Sequence, residues 1–548
     1  MKKLTEPQKR ILTRYCSFAE RKMAHPSLAD MYMMGITRRQ IRTNFGTYGE
    51  LRKQAMAEQP KSFANIATET LFTKKIFEVL QSEADKFKRY FVTTTVLGAK
   101  VFEPFYESIM SYGKKRDSLT LCLTSSDPAA SAAHGKKVNP EKWFEQLTKS
   151  HRGLKIAFED MGLNDNVFLS SIKLSAKQLD PITSLGRIGQ RNGSFLFASP
   201  KQRLKMVPTS NTQMPHAIMT TGAVTLPAYK TERYMSQRLA SIADYDHVLG
   251  GVIVEVVDSK MFHFRQVQAD RQGSFIDLGV RYKADGNTER VQPEALSLGD
   301  WHSGETDPAA REAFVGRGED SVIMVTKPRR LIVHDGFNGM SISHHEQKNK
   351  ILRAQRSAAQ KLSLEKELIQ YGEDLDYLAS FPFVEEVVIV KSNHDLFLDR
   401  YLSEARYVED PQNYALSLRL SADMIEGKSP LQAFVDSMNI KNAGKLRWLS
   451  EDDDYKIAGV ELGAHGHLGA NGAKGSLHAM EAAYGNSISG HAHSQEILRG
   501  AWQNGTMSIM KPSYVRGPSS WTFSSTLLYP NGSRQLISVI AGEWRLTD

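Results

Sequence analysis

Residues 385–395 read EEVVIVKSNHD. A run of β-branched residues, the pattern of a buried strand, stops abruptly at Ser392-Asn393-His394-Asp395. Either the strand simply exits into a loop, or it delivers polar side chains to a site. Four other stretches decide between these. PEALSLGDWHSG ends in Asp300 and His302, RRLIVHDGFNG in His334 and Asp335, YKIAGVELGAHGHLG in His465 and His467, and GNSISGHAHSQ in His491 and His493. In α/β sheets ligands gather outside the carboxyl ends of strands. Five strands ending in Asp, Asn and His are therefore expected to surround one crevice. Extended residues i and i+2 face the same side, so Asp300 with His302, and His491 with His493, are each expected to aim two ligands one way. Imidazole with carboxylate and amide oxygen suits manganese, iron, zinc or related divalent metals better than calcium or magnesium.

Around this region the chain is long and charged. Its 548 residues exceed one ordinary core, so two to four domains are expected. A hydrophobic share of 41% with 24% charged residues fits a globular protein, and no apolar window has the ~18 residues that a membrane span needs. Met1-Lys2-Lys3 is followed by no apolar run, so a secretory signal is not expected. Two cysteines, Cys16 and Cys122, exclude a disulfide framework or cysteine zinc module and fit a reducing, cytoplasmic setting.

The net charge of +9 is concentrated at the start. Residues 1–60 carry twelve Lys/Arg against five acids, which reads as a polyanion-binding module or as a solvated basic face. Helical spacing of Ile11, Leu12, Tyr15 and Phe18, a stop at Gly35, and N-caps at Thr37 and Thr47 predict short helices joined by tight turns. The stretch PSLADMYMMGITRRQIRTNFGTYGELRKQA resembles the small helix-turn-helix repeats found beside homing-type nucleases, through Gly35, Ile36, Thr37, Ile41, Phe45, Gly46, Thr47 and Tyr48. The resemblance implies DNA contacts by Thr37, Arg38, Arg39, Gln40 and Arg42; a helical hairpin for protein contacts is the alternative.

The remainder divides as a helical linker over 61–90, a mixed α/β domain over 91–290 and a catalytic domain over 291–548. Within the middle domain, YFVTTTVLG, KVFEPFYESIMSYGKKR and DSLTLCLTS predict a βαβ unit, 126–140 a loop, and NVFLSSIKL, HAIMTTGAVTL, GGVIVEVV and MFHFRQVQ strands. GRIGQRNGSFLFASPKQRLKMVP (186–208) suits either a phosphate track or a structured segment, and LGANGAKGS (468–476) either a phosphate-binding loop or a tight turn. The helices near 61–90 leave a homo-oligomer open.

In their order, Asp300-Trp301-His302, Asp335, Asn393-His394-Asp395, His465 and Gly490-His491-Ala492-His493 resemble the calcineurin-like metallophosphoesterase superfamily. The resemblance implies a two-layered β-sandwich flanked by helices that holds two divalent ions. Manganese comes first, with iron, zinc, magnesium or cobalt as alternatives. Asp300, His302 and His493 would hold one ion, Asn393, His465 and His491 the other, and Asp335 would bridge. His467 is the alternative to His465. His394 would serve the leaving oxygen as a catalytic acid or as a donor to developing negative charge, with Asp395 orienting its ring; Asp395 also reads as a helix N-cap. The sequence departs from the pattern at His334 and Ser392, where glycine is usual, and at Asn338, where aspartate is usual.

Joined to the basic helices, such a core implies a DNA nuclease. The whole arrangement resembles the pre-early DNA-transfer proteins of T-five-like bacteriophages, which implies host DNA degradation and phage DNA entry in the host cytoplasm, with a phage protein as a further partner. A nucleotidase or small-molecule phosphodiesterase with a DNA-contacting module is the runner-up, and a DNA-binding adaptor with a vestigial metal site the third reading.

Overall fold

The computed structural model describes residues 4–22, 26, 28–59, 80–125, 140–175, 178–210, 215–229, 234–346, 349–510 and 517–547. Most of the expected helical linker at 61–90 and almost all of the expected loop at 126–140 lie outside the described residues. The chain divides into two compact units, one of residues 1–275, 282–288 and 546–548, the other of residues 276–281 and 289–545.

The first unit begins with helices Glu6–Lys22, Leu28–Met33, Arg38–Phe45 and Tyr48–Glu58. Thr37 caps the third by accepting from Gln40 N, and the Gln40 side chain accepts from Thr37 N in return, so both expected residues are spent on a capping box. Thr47 accepts from Glu50 N at the start of the fourth. These helices, expected as a domain of their own, share a core with the strands behind them. Ile11, Tyr15, Ile36, Ile41, Phe45 and Leu51 pack with Phe168, Ile188, Phe195 and Ile218. Helices this short cannot bury enough apolar surface among themselves, and the sheet supplies the rest.

The expected βαβ unit is present: strands Arg89–Val96 and Ser118–Ser125 pair in parallel across helix Glu103–Arg116. Strands Gly250–Val256 and Phe262–Gln268 extend the sheet antiparallel beyond the first of these. The basic 186–208 segment forms helix Gly186–Asn192 and strands Ser194–Ala198 and Arg203–Val207. Lys201 and Arg203 there are buried in ion pairs with Asp246 and Asp180, so the structured reading holds for them and they offer no phosphate track.

The second unit is a sandwich. One sheet runs in the order Leu446–Trp448, Glu386–Ile389, Arg330–Val333, Ala295–Ser297, Phe523–Leu528, Arg534–Val539. Its first four strands are parallel and its last two antiparallel. Leu331, Ile332 and Val333 are wholly buried, as expected of a parallel strand covered on both faces. Helices Leu364–Ala379 and Asp395–Ser403 cover one face, where Leu368, Leu375 and Leu398 join Leu331, Val387 and Ile389 in the core. A second sheet, with Val460–Glu461, Ser487–Ser489, Ala501–Gln503 and Glu496–Leu498, covers the other. Between the sheets the Arg534 guanidinium lies 4.8 Å from the Trp502 ring centroid, and Asn504 Nδ2 donates to Ser297 O at 3.0 Å. The α/β class with flanking helices is thus as expected.

Candidate metal centre

Strands Ala295–Ser297, Arg330–Val333 and Glu386–Ile389 of one sheet, with Val460–Glu461 and Ser487–Ser489 of the other, end at one edge of the sandwich and bring their polar tails together. Asp300, His302, Asp335 and His493, all buried, place one ligand atom each within 4.8 Å of one another. His493 Nε2 stands 3.1 Å from Asp300 Oδ2 and 3.2 Å from His302 Nε2. A second group lies beside it. Asn393 Oδ1 is 3.1 Å from His465 Nε2 and 3.0 Å from His491 Nδ1. Asp335 Oδ2 belongs to both groups, 3.8 Å from His302 Nε2 and 3.3 Å from His465 Nε2. His467 turns away, its Nε2 3.5 Å from Glu451 Oε1, so His465 rather than His467 joins the cluster.

The donor set fits divalent cations. Asp300 Oδ1 and Asp335 Oδ1 are buried without a hydrogen-bond partner, an arrangement that costs free energy unless a cation shares the space. His302 Nε2 and His493 Nε2 lie 3.2 Å apart, so with both rings protonated at Nδ1 the two lone pairs would meet at one point. Burial, reinforced by His394, pushes the His302 imidazole down to about 3, and burial with His465 lowers His491 to about 4, so both rings are neutral at pH 7; burial lowers His465 too, but Asp335 and Asp300 outweigh it and raise that ring to about 9, so a cation there has to displace its proton. Burial opposes ionisation of Asp335, but His465 and His394 outweigh it and hold the carboxyl well below the usual range. This cluster of buried Asp and His residues could therefore bind a metal ion.

The expected extended i/i+2 pairs are not how the candidate ligands converge. His302 (φ +49°), Asp335 (φ +44°), His491 (φ +77°) and His493 (φ +58°) all lie in the left-handed region, which side chains other than glycine rarely adopt. Each such residue costs of order 1–3 kcal/mol, and surrounding packing must enforce it. Strand pleat sets the approach; tight turns past the strand ends aim the rings. Gly490 permits the closest approach, because a β-carbon there would sit 2.1 Å from Asp300 Oδ1 and 3.1 Å from His334 Cβ. His334, in the position where glycine is usual, is buried and lies 5.6 Å from the His465 ring.

His394 is placed differently from the candidate ligands. Its Nδ1 lies 2.6 Å from Asn338 O, and a carbonyl only accepts, so Nδ1 carries a proton. That leaves Nε2 for the cleft which the ring lines. Asp395 was expected to orient this ring, but its Oδ2 accepts from Ser392 N at 2.8 Å while Ser392 Oγ accepts from Asp395 N at 3.4 Å. The carboxylate closes a reciprocal turn at the start of helix Asp395–Ser403, which also explains serine in place of glycine at 392. Burial pushes the Asp395 carboxyl up to about 7.

Sequence reasoning missed the support of Asn338. Glu367 Oε1 accepts from Met340 N at 2.7 Å, and Oε2 from Ser341 N at 3.0 Å and Ser341 Oγ at 2.6 Å. These bonds fasten the turn that carries the Asn338 carbonyl, with Gly339 in the left-handed region (φ +67°). No local pattern marks Glu367, which lies 27 residues beyond Met340 on a helix rich in acidic residues.

Of the expected DNA contacts, Arg39, Gln40 and Arg42 are exposed. Arg38 points into the fold, donating to Asn164 O at 3.1 Å and lying 5.5 Å from the Phe168 ring centroid.

Comparison with known proteins finds a match to a bacteriophage protein, Protein A1 of Escherichia phage T5, 30% identical over 359 residues. The match covers 64% of this chain and 63% of that protein, so the chain spans somewhat less than two thirds of its relative's length. No family model matches the chain, and no solved structure matches it.

Proposed function

We propose that the chain is a metal-dependent DNA nuclease of the calcineurin-like metallophosphoesterase type, a bacteriophage early protein acting in host DNA degradation and phage DNA transfer. The observation that carries this reading is the position of Asp335, whose Oδ2 faces His302 on one side and His465 on the other. A carboxylate shared by two nitrogen-rich groups is what a two-cation phosphoesterase requires. Asp300, His302 and His493 would hold one divalent ion, manganese in the first place, and Asn393, His465 and His491 the other; when bound, such ions would neutralise charge and lower the pKa of a water for in-line attack. His394, fixed through Nδ1, which keeps its proton, would act as an imidazolium that gives its Nε2 proton from the cleft wall to the leaving oxygen. Support for DNA as the polymer comes from the basic helices, where Arg39 and Arg42 remain exposed, and from the likeness to a phage protein.

The test is cleavage of closed-circular and linear duplex DNA with Mn²⁺, Mg²⁺ or chelator, beside Asp335→Asn. Metal-dependent cutting that the variant lacks is the expected result. Hydrolysis of nucleotides or small diesters with no cutting of DNA would favour the small-substrate reading instead. DNA binding without any hydrolysis would favour an adaptor.

A further inference from the structure

We infer that the diester presented to this centre belongs to an unpaired nucleotide of a DNA strand, whose base lies against Trp521 in the adjoining cleft; the inference rests on the phosphodiesterase reading of the centre. The cleft, about 890 Å³, opens onto His302, Asp335, His394 and His493. Pockets of ~300–1,000 Å³ hold ligands of drug size, which is one or two nucleotides rather than a double helix.

Charge points the same way. Among the described residues, the two cations lining the cleft each face a carboxylate: Lys361 Nζ lies 2.8 Å from Glu305 Oε1, and Arg356 Nη2 lies 2.6 Å from Glu346 Oε1. A duplex demands surplus positive charge along two phosphate backbones, and both of these described cations are already paired. It offers apolar and aromatic surface instead, from Leu352, Phe397, Ile509 and Trp521, all partly exposed. The Trp521 ring centroid stands 4.2 Å from that of His493, so a base against the indole keeps its own phosphate within reach of the ligands. Phe397 stands 4.7 Å from His394, giving the leaving-group side an aromatic face as well. A base can stack on a side chain only once it has left its neighbours in the helix, and such stacking contributes ~1–3 kcal/mol per base. Asn349 and Gln355 on the same wall add amide donors and acceptors for a base edge.

The test compares a short single strand with a nick-free dumbbell duplex of the same sequence, using the full chain. Binding is read by fluorescence anisotropy in chelator, and cleavage with Mn²⁺. The expected result is preference for the single strand in both, with Trp521→Ala lowering the single-strand-to-dumbbell affinity ratio about fivefold or more and Trp521→Phe retaining most of it. Leu352→Ala, on helix Lys350–Ala358, is the second variant should Trp521→Ala not fold, and a smaller fall in the same ratio is expected. Equal binding of strand and dumbbell, or a ratio unmoved by these substitutions, would overturn the inference. So would a deoxynucleoside monophosphate competing as well as the strand, which would assign the cleft to free nucleotides. If the binding preference holds while no diester is cut, the phosphodiesterase reading fails and the cleft assignment stands.

Discussion

The main-chain carbonyl of Asn338 accepts a hydrogen bond from His394 Nδ1 at 2.6 Å, across 56 residues of sequence. A main-chain carbonyl cannot rotate away as a side chain can, so the tautomer and tilt of the ring depend on the turn that carries it. Replacing His394 with Ala removes the proposed proton donor, and a fall in kcat of ~10²–10⁴-fold is expected, with Mn²⁺ affinity by calorimetry retained. Loss of the metals as well would show that His394 is a ligand.

Glu367 acts through that turn. In Glu367→Gln the amide nitrogen meets a main-chain N–H that the carboxylate now satisfies, and each bond so broken costs roughly 1–3 kcal/mol locally. A fall of about tenfold in kcat is expected, with KM and metal affinity little changed. The decisive reading is the double variant: added to His394→Ala, Glu367→Gln should cost no further activity if it works only by positioning the ring. An undiminished extra loss would leave Glu367 a general structural support.

Gly490→Ala tests the ligand cradle. The added β-carbon displaces Asp300 Oδ1, and Asp300 has no free room because its Oδ2 accepts from His491 N at 2.8 Å. Overpacking of this kind costs ~1–3 kcal/mol of stability, yet its larger effect should be on ligation. Mn²⁺ affinity is expected to fall at least about tenfold, with the fold retained by circular dichroism. Unchanged affinity would show that Asp300 is not held for a metal.

Much of this site was legible because strand ends are local. An apolar run followed by His or Asp is visible in any window, and five of them in order pointed to a shared edge. The caps at Thr37 and Thr47 were legible for the same reason, since each bond spans three residues. The rest depends on distant partners or on backbone conformation. Arg38 looked like a DNA-binding side chain until Asn164, 126 residues away, claimed its guanidinium. The left-handed turns at His302 and His493 leave no mark in side-chain type, and Trp521 gives no sign in sequence that it stands over a histidine some thirty positions earlier.

Acid should weaken the first unit through His263. Burial, with help from Arg265, lowers its pKa from the ordinary 6.5 to about 4, and neither ring nitrogen has a hydrogen-bond partner. The folded state favours the neutral ring, so this stability is complete above pH 6.5 and is lost as pH falls through 4, amounting to about 3 kcal/mol at most. Urea midpoints measured from pH 7 to pH 4 should fall, and His263→Phe, beside Phe262 and Phe264 on the same strand, should flatten the decline. An unaltered slope would place the sensitivity elsewhere.

The two kinds of arginine in the basic helix should separate cleanly. Arg39 and Arg42 are exposed, so Arg39→Glu with Arg42→Glu is expected to weaken binding to duplex DNA and to lower the slope of log affinity against log salt by about 2, one for each phosphate no longer neutralised. Stability should scarcely change, because neither guanidinium is buried. Arg38→Ala should do the reverse. It removes a hydrogen bond to Asn164 O and the packing of the guanidinium on the Phe168 ring, which lowers the unfolding free energy by about 1–2 kcal/mol with the salt slope preserved. If Arg38→Ala flattened the salt dependence and the Arg39/Arg42 pair did not, DNA would have to reach the inward face of this helix. The fold leaves no room there while Arg38 is packed against Phe168, so that outcome would mean the helix moves on binding.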